Sequence, residues 1–227
     1  MSEHIFRDLP LFAGLSAAHL DAVRVGMMPV VLAPGEGLFA QGAPAKRFFV
    51  LAEGRLKVTQ VTEDGRQIIV RIVHPGEICG FAPALNRDTY PGSAEAMVPS
   101  RLYGWPSSRW EAVMGAAPSL TFSAMRAIGR KLDEAHTRLR EASTTEAGQR
   151  IASVLLRIAR ETGEETAGTI QIPFPLTRQD VADLSGNTLH TVSRIMAAWE
   201  GRGILVRARR RVIIADLPAF EAIAAGT

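Results

Sequence analysis

Cysteine is almost absent from this chain, since Cys79 is the only one among 227 residues. A single thiol excludes an internal disulfide framework and a four-cysteine zinc or iron–sulfur site within one chain. Long apolar runs are also missing: nowhere do about 18 apolar residues follow one another, and the first residues, MSEHIFRDLPLFAGLS, include acidic side chains and no stretch of signal-peptide length. We therefore expect a soluble cytoplasmic protein that does not bind a membrane.

Catalytic signatures are missing too. The chain contains no G-x-S-x-G motif, no glycine-rich phosphate loop ending in Lys-Ser or Lys-Thr, and no H-E-x-x-H motif, so we expect no enzymatic activity. Its formal net charge is only +3 and it has no long basic tail. Any affinity for nucleic acid must then come from the placement of individual arginines. The length of 227 residues allows two domains.

The most informative segment is LTRQDVADLSGNTLHTVSRIMAAWEGRGIL, at 176–205. Thr177 is suited to cap a helix that begins near Arg178, and Asp180 supplies the acidic partner in the first turn. This helix is predicted to stop at Ser185-Gly186-Asn187, because Gly and Asn tolerate positive φ and Ser competes for local backbone hydrogen bonds. The pattern predicts the first helix of a helix-turn-helix.

A second helix is predicted to start at Thr188, again as the cap. Its apolar residues recur at three- and four-residue spacing and can face a core: Val192, Ile195, Met196 and Trp199. Another face carries Leu189, His190, Ser193 and Arg194. That second face is the candidate reader of DNA bases.

Basic residues follow the second helix. Gly201 and Gly203 are predicted to end it, and the apolar triplets 204–206 and 212–214 then flank Arg207, Arg209, Arg210 and Arg211. This order predicts a two-stranded wing whose arginine-rich turn meets phosphates. The alternative for the whole segment is a helical hairpin in an ordinary core, with Arg194 merely solvated. Capping, turn, helix and basic wing in the required order favour DNA binding.

Short, often alternating apolar runs separated by Gly and Pro fill the region from about Val30 to Trp105. Such runs predict many short antiparallel strands in a jelly roll or small barrel. Turns are expected at Glu63-Asp64-Gly65, Pro34-Gly35-Glu36 and Pro75-Gly76-Glu77.

From about Ser119 to Ser143 there is no proline, and only Gly129 weakens a helix. Apolar residues recur there in alternating steps of three and four, as in a coiled-coil seam: Met125, Ile128, Leu132, Ala135, Leu139 and Ala142. Such a helix is suited to pair with a second copy of itself; the alternative is a helix packed only on its own N-terminal domain. A hinge is expected at 143–145, followed by an amphipathic helix over 146–162.

A β-roll, a long dimerising helix and a C-terminal winged helix-turn-helix, in this order, resemble the CRP/FNR family of bacterial transcription regulators. The resemblance runs from about Leu11 to Asp216, and its most specific part is LTRQDVADLSGNTLHTVSR. Among subfamilies this segment is most similar to the NnrR-type regulators, which answer nitric oxide and control denitrification genes. The expected class is α+β: a β-roll sensor resembling a cyclic-nucleotide-binding jelly roll (1–117), a dimerisation helix (118–143) and a winged helix-turn-helix (144–227).

The resemblance implies roles for single residues. Thr177, Arg178 and Gln179 match phosphate-contacting positions, and His190, Ser193 and Arg194 match base-reading positions; Thr188, Leu189 and Arg209 complete the expected DNA-binding set. The family usually has Glu where this chain has His190. A carboxylate only accepts hydrogen bonds, whereas imidazole also donates them, so the operator is expected to differ from the common half-site. The implied partners are pseudo-palindromic double-stranded DNA, a second copy of the chain, and RNA polymerase.

The sensor chemistry departs from cyclic-nucleotide-binding members. Those proteins hold the ribose with a Glu and the cyclic phosphate with an Arg-Ser pair, where this chain has Phe81 and Gly92-Ser93. The charged partner of the phosphate is therefore missing, although Arg87 lies nearby, and cAMP is not the expected effector. Cys79 alone does not support an iron–sulfur cluster of the FNR kind.

Haem, as in the carbon-monoxide sensor of the family, is a candidate cofactor, with His74 as a candidate effector residue. An ordinary surface or capping role is the favoured alternative for His74. Cys79 is a candidate redox or nitrosation switch, against the favoured alternative of a buried, inert thiol beside Ile78 and Phe81. Beyond nitric oxide, the open alternatives are regulation by redox state, oxygen or a small ligand, and constitutive activity.

A metalloenzyme of the cupin type is the alternative from another class, because cupins are also β-rolls. Their metal sites need two histidines on one strand face with further ligands, and this region offers His74 alone. No metal site is expected.

Overall fold

The computed structural model describes residues 12, 15–63, 65, 67–122, 125–126, 128–129, 146–166, 169–208 and 211–226. The chain forms two compact units, one from residues 1–66 and 70–134 and the other from 67–69 and 135–227. The domain boundaries at 117 and 143 stay a prediction.

Eight strands between residues 28 and 106 build two sheets. They are β1 (Met28–Leu32), β2 (Gly37–Phe39), β3 (Arg47–Glu53), β4 (Leu56–Val61), β5 (Gln67–Val73), β6 (Ile78–Cys79), β7 (Ser93–Ala96) and β8 (Ser100–Pro106). The strand orders are β1-β8-β3-β6 and β2-β7-β4-β5. The pairs β1–β8, β3–β8, β3–β6, β2–β7 and β4–β7 are antiparallel, as expected for a β-roll.

Two apolar layers surround the first sheet. One buried cluster joins Leu51 and Leu102 of that sheet to Leu56 and Val73 of the second sheet. On the opposite face, Phe48, Val50 and Trp105 pack with residues of two helices that were not predicted, α1 (Ala17–Arg24) and α2 (Trp110–Ala116). The indole Nε1 of Trp105 donates to the carbonyl oxygen of Val23 at 2.6 Å, which anchors α1 on the sheet.

The predicted turns are present, and two of them use the same device. In the turn at 34–36 the Glu36 carboxylate accepts from the backbone amide of Ala33 at 2.9 Å, and in the turn at 75–77 Glu77 accepts from the amide of His74 at 3.2 Å. Gly65 closes the β4–β5 turn, donating its amide to the Thr62 carbonyl at 2.9 Å with φ +78°. Positive φ explains glycine at this position.

Residues 118–122, 125–126 and 128–129 are helical, as predicted for the start of the long helix. Met125 and Ile128 of the predicted seam belong to this segment. Leu132, Ala135, Leu139 and Ala142 lie outside the described residues.

The C-terminal unit contains four helices and a small sheet. The helices are α3 (Ala147–Thr162), α4 (Arg178–Ser185), α5 (Leu189–Gly201) and α6 (Leu217–Ala225), and the strands are β9 (Glu164–Thr166), β10 (Thr169–Gln171), β11 (Leu205–Ala208) and β12 (Arg211–Ile214). The apolar stripe of α3 is buried at Ile151, Val154, Leu155, Ile158 and Ala159. Trp199 of α5 meets Phe220 of α6 edge to face, with ring centroids 5.3 Å apart.

The two-stranded wing expected from the sequence is part of a larger sheet, with the strand order β11-β12-β10-β9. Ile170 of β10 pairs with Ile214 of β12, and both side chains are buried. Strands β9 and β10 were missed because they are only three residues long, and β10 pairs with a strand distant in sequence. The extra pairing holds the wing against the rest of the unit.

Candidate nucleic-acid interface

The first helix of the motif begins with a complete capping box. The Thr177 hydroxyl accepts from the Asp180 amide at 3.1 Å, and the Asp180 carboxylate accepts from the Thr177 amide at 2.8 Å. These reciprocal bonds satisfy backbone donors that a helix start leaves without partners. The start at Arg178 is therefore a local property of the sequence, as predicted.

A left-handed glycine ends this helix. Gly186 has φ 65° and ψ 31°, a conformation that side chains with a Cβ rarely adopt. Two residues later the Thr188 hydroxyl accepts from the Thr191 amide at 3.1 Å and caps α5. The predicted turn and second cap are both present.

Helix α5 has the two faces predicted from its sequence. Val192, Met196 and Trp199 are buried, and Ile195 is half-buried. On the other side Leu189, His190 and Arg194 are exposed and Ser193 is half-buried. A helix that presents polar side chains and one exposed leucine over its first two turns is suited to enter a DNA groove.

Besides Thr177, whose hydroxyl donates to Asp180 Oδ2 at 2.6 Å within the capping box, two more of the predicted phosphate contacts are engaged inside the motif. Arg178 Nη2 lies 2.9 Å from Oε1 and 3.1 Å from Oε2 of Glu200, so the first residue of α4 is bound to the last turn of α5. Gln179 Nε2 donates to Asp183 Oδ1 at 2.6 Å. Both side chains retain donor groups beyond the atoms in these bonds, since guanidinium has five N–H donors and a side-chain amide has two.

The wing strands pair from Leu205 with Ile214 to Ala208 with Arg211. Arg209, a predicted DNA contact, lies outside the described residues, and Arg211 is exposed.

The candidate switch residue Cys79 is 2% exposed, and burial raises the pKa of its thiol from 9.0 to about 12. Glu77 also raises this pKa, while Arg71 lowers it by less than burial raises it. Burial is what the inert alternative predicts, because only the thiolate is a strong nucleophile. A role in sensing stays a prediction.

The candidate effector residue His74 is half-buried and directly follows β5. Within the described ranges no three His, Cys, Asp or Glu side chains form a group that could hold a metal ion. Haem binding through His74 also stays a prediction.

The residues present do not fit a cyclic nucleotide. A Cβ added at Gly92, the position of the phosphate-binding arginine in the resemblance, would lie 2.6 Å from the backbone oxygen of Thr59. The next residue, Ser93, uses its hydroxyl oxygen to accept from the Gln41 amide at 2.9 Å. Arg87 is exposed. The backbone therefore leaves no room for a side chain at 92 that would neutralise a phosphate.

Sequence reasoning missed Glu200 and Arg150 as parts of this region. The Arg178–Glu200 pair joins residues 22 positions apart, and Arg150 contacts Asn187 across 37 positions. Neither pairing leaves a periodic signal in the sequence.

None of the helices in the described residues combines the length and the apolar character that a membrane span needs.

Two family models match the chain, and together they cover more than two thirds of it. Residues 29–116 match a cyclic nucleotide-binding domain, and residues 149–223 match a Crp-like helix-turn-helix domain. Gly92 and Ser93, at the positions that the resemblance assigns to a cyclic phosphate, lie within the range matched by the first model.

Three relatives are similar to this chain over at least 85% of its length. It is 23% identical over 214 residues to a CRP-like cAMP-activated global transcriptional regulator of Mycobacterium tuberculosis, covering 94% of this chain and 96% of the relative. It is 29% identical over 195 residues to the nitrogen fixation regulation protein FixK of Azorhizobium caulinodans, covering 85% and 77%. The crystal structure of a CRP-family transcriptional regulator of Thermus thermophilus superposes with a TM-score of 0.71 at 26% identity, covering 86% and 96%.

Proposed function

The chain belongs to the CRP/FNR family of DNA-binding transcription regulators, and we propose that it binds its operator by placing α5 in the major groove. The observation that carries this proposal is the pair of faces on α5. Its buried residues Val192, Met196 and Trp199 anchor the helix, and its exposed residues occupy the end that a recognition helix directs at base edges.

The side chains on the reading face of α5, which are Leu189, His190, Ser193 and Arg194, match particular atoms of the bases. Arg194 presents a planar fork of donors that matches O6 and N7 of guanine. Leu189, which is 47% exposed, contacts a thymine methyl group, and His190 donates or accepts at the position where the family usually has a carboxylate. Ser193 completes the reading face. The resulting half-site differs from the common one of the family at the base pair that His190 meets.

Phosphate contacts flank this reading face. Arg178 and Gln179 at the start of α4 approach the phosphates of the DNA backbone, and so do the cap residues Thr177 and Thr188. From the wing, Arg209 and Arg211 approach the same backbone. Backbone contacts of this kind set the register of a protein on DNA and contribute affinity without sequence preference.

The active form is a homodimer paired through the long helix. Phe122 and Met125 are each 61% exposed in this chain and Ile128 is 38% exposed, although all three are large apolar residues. A second copy of the helix would cover them, and Leu132, Ala135 and Leu139 continue the proposed seam. Two recognition helices would then meet half-sites about one helical turn apart, on a pseudo-palindrome. RNA polymerase is the further partner that the family implies.

The proposed signal is nitric oxide, and the proposed target genes are those of denitrification. The support is the likeness of LTRQDVADLSGNTLHTVSR to the NnrR-type subgroup. Cyclic AMP is not proposed as the effector because the backbone at Gly92 has no room for a phosphate-binding side chain. A two-state coupling through the long helix would connect the β-roll with the spacing of the recognition helices.

Two measurements test this function. Selection from a random DNA pool by the purified protein should yield a palindrome, and recovery of unrelated sequences would contradict groove reading by α5. An anaerobic absorbance spectrum of the haem-reconstituted protein, with and without nitric oxide, tests haem as the sensor: a Soret band that shifts with nitric oxide and a change in affinity for the selected DNA would support it. Absence of specific haem uptake and unaltered DNA binding would overturn haem-based sensing.

A further inference from the structure

A continuous chain of side-chain hydrogen bonds runs from α3 into the turn of the helix-turn-helix. Arg150 Nη2 donates to Asn187 Oδ1 at 2.9 Å. Asn187 Nδ2 donates to the carbonyl oxygen of Ser185 at 3.1 Å and to its hydroxyl oxygen at 3.0 Å. The Ser185 hydroxyl donates in turn to the Val181 carbonyl at 2.7 Å. Three side chains thus connect one helix with the turn between two others.

The orientation of the Asn187 amide follows from the chemistry of its partners. A guanidinium group only donates, so the amide oxygen must face Arg150, and a backbone carbonyl only accepts, so the amide nitrogen must face Ser185. The Asn187 backbone is held as well, because its N–H donates to the Ala182 carbonyl at 3.0 Å. Partners on two sides leave this side chain little freedom to rotate.

The position of Asn187 makes this network relevant to DNA reading. Asn187 directly precedes Thr188, the cap of α5, and the first helical residues after that cap are Leu189 and His190. A shift of the turn would therefore move the end of α5 that faces the bases. From this we infer that Arg150 and Asn187 are positioning residues, which set the entry of the recognition helix into the groove without touching DNA themselves.

We expect α5 to fold without this network. Val192 is 0% exposed, and Met196 and Trp199 are each 5% exposed, so the helix stays anchored by its apolar face when the Asn187 amide is removed. The cap made by Thr188 also remains. Loss of the network should change the direction of the first turn of α5 more than the stability of the domain.

The inference rests on the proposed function of α5, and the test uses full-length protein with two DNA duplexes. One duplex is the palindrome selected by the wild-type protein, and the other has the same length and composition in shuffled order. The variants are Asn187→Ala, Arg150→Ala and the double variant. Arg160→Ala is the matched control, since Arg160 also lies on α3 but pairs with Glu221 on the exposed surface at 2.8 Å.

Each single variant should lose about tenfold in affinity for the selected duplex, as expected for a hydrogen bond to a charged group that matters for alignment. Affinity for the shuffled duplex should change less than twofold, and the salt dependence of binding should stay the same. The double variant should be no weaker than the weaker single variant, because both substitutions break the same connection. Arg160→Ala should bind both duplexes like the wild type.

Equal losses on the two duplexes, or losses that multiply in the double variant, would overturn the inference. If Asn187→Ala does not fold, Asn187→Asp replaces it, since the carboxylate keeps an acceptor for Arg150 and loses the donor to Ser185. That variant should discriminate less between the duplexes than the wild type, and unchanged discrimination would count against the inference. A wild-type protein that selects no palindrome would reject the proposed function itself, which is a different result.

Discussion

The guanidinium group of Arg178 is bound to the carboxylate of Glu200, with Nη2 at 2.9 Å and 3.1 Å from the two oxygens, so that the start of α4 is connected to the end of α5. Both side chains are partly exposed, at 37% and 17%. Such a pair contributes at most about 1 kcal/mol to stability. It leaves the other guanidinium donors for a DNA phosphate.

Arg178→Ala should weaken binding to the selected and the shuffled duplex by similar factors, because a phosphate contact carries no sequence information. The slope of log affinity against log salt concentration should fall by about 1 per protomer. Titrations at several salt concentrations measure both effects. A lower melting temperature with an unchanged salt slope would show that Arg178 only supports the fold.

Arg194→Ala should behave differently. The side chain is exposed, so the fold should persist, while the specific affinity should fall by roughly 1–3 kcal/mol through loss of the contact to guanine. Arg202→Ala is the matched control. Arg202 is exposed at the opposite end of α5, and its substitution removes the same positive charge. Unchanged affinity of Arg194→Ala for the selected duplex would contradict the proposed docking.

Met125→Glu should convert the dimer into a monomer, because a carboxylate would be buried in the proposed seam without a partner. Sedimentation equilibrium measures the mass, and operator binding should weaken in parallel. Val31→Glu is the control: Val31 is 63% exposed on β1, similar to Met125 at 61%, and lies outside the proposed seam. A dimeric Met125→Glu protein would argue against pairing through this helix.

The Cys79 thiol should resist iodoacetamide in the folded protein at pH 8 and react rapidly in urea, because burial raises its pKa to about 12. The folded state holds this proton more tightly than the unfolded state. The contribution of the thiol to stability is therefore complete below pH 9 and decreases as the pH rises toward 12. Urea unfolding of the wild type and of Cys79→Ala between pH 8 and about 11 tests the sign, and fast alkylation of the native protein would contradict it.

Gly92→Ala should destabilise the β-roll by about 1–3 kcal/mol, because the new methyl group would lie 2.6 Å from the Thr59 carbonyl oxygen. Gly115→Ala is the control, since nothing lies within 4 Å of a Cβ there and the residue is in helix α2; it should raise stability by up to about 1 kcal/mol. Denaturant titration compares the stability of the two variants.

Isothermal titration should show that Gly92→Arg gains no affinity for cAMP, and binding at micromolar cAMP would refute this account of the site.

Interactions within a few residues are the ones that the sequence made predictable. The capping box joins Thr177 and Asp180, and the Thr188 cap accepts from Thr191, so each cap spans only three positions. The left-handed turn depends on Gly186 itself. The two faces of α5 follow from a repeat of 3.6 residues, and the strands of the β-roll from alternation. For these elements local chemistry and periodicity are sufficient.

The sequence by itself thus determined the order of a β-roll, a helix and a helix-turn-helix, and the residues that α5 exposes. Tertiary structure alone decided that β10 joins the wing strands, that Arg150 reaches Asn187, and that Thr59 closes the space beside Gly92. The physical reason is distance along the chain. A pairing, close approach or burial between residues many positions apart depends on how whole elements pack, and local sequence patterns do not record that packing.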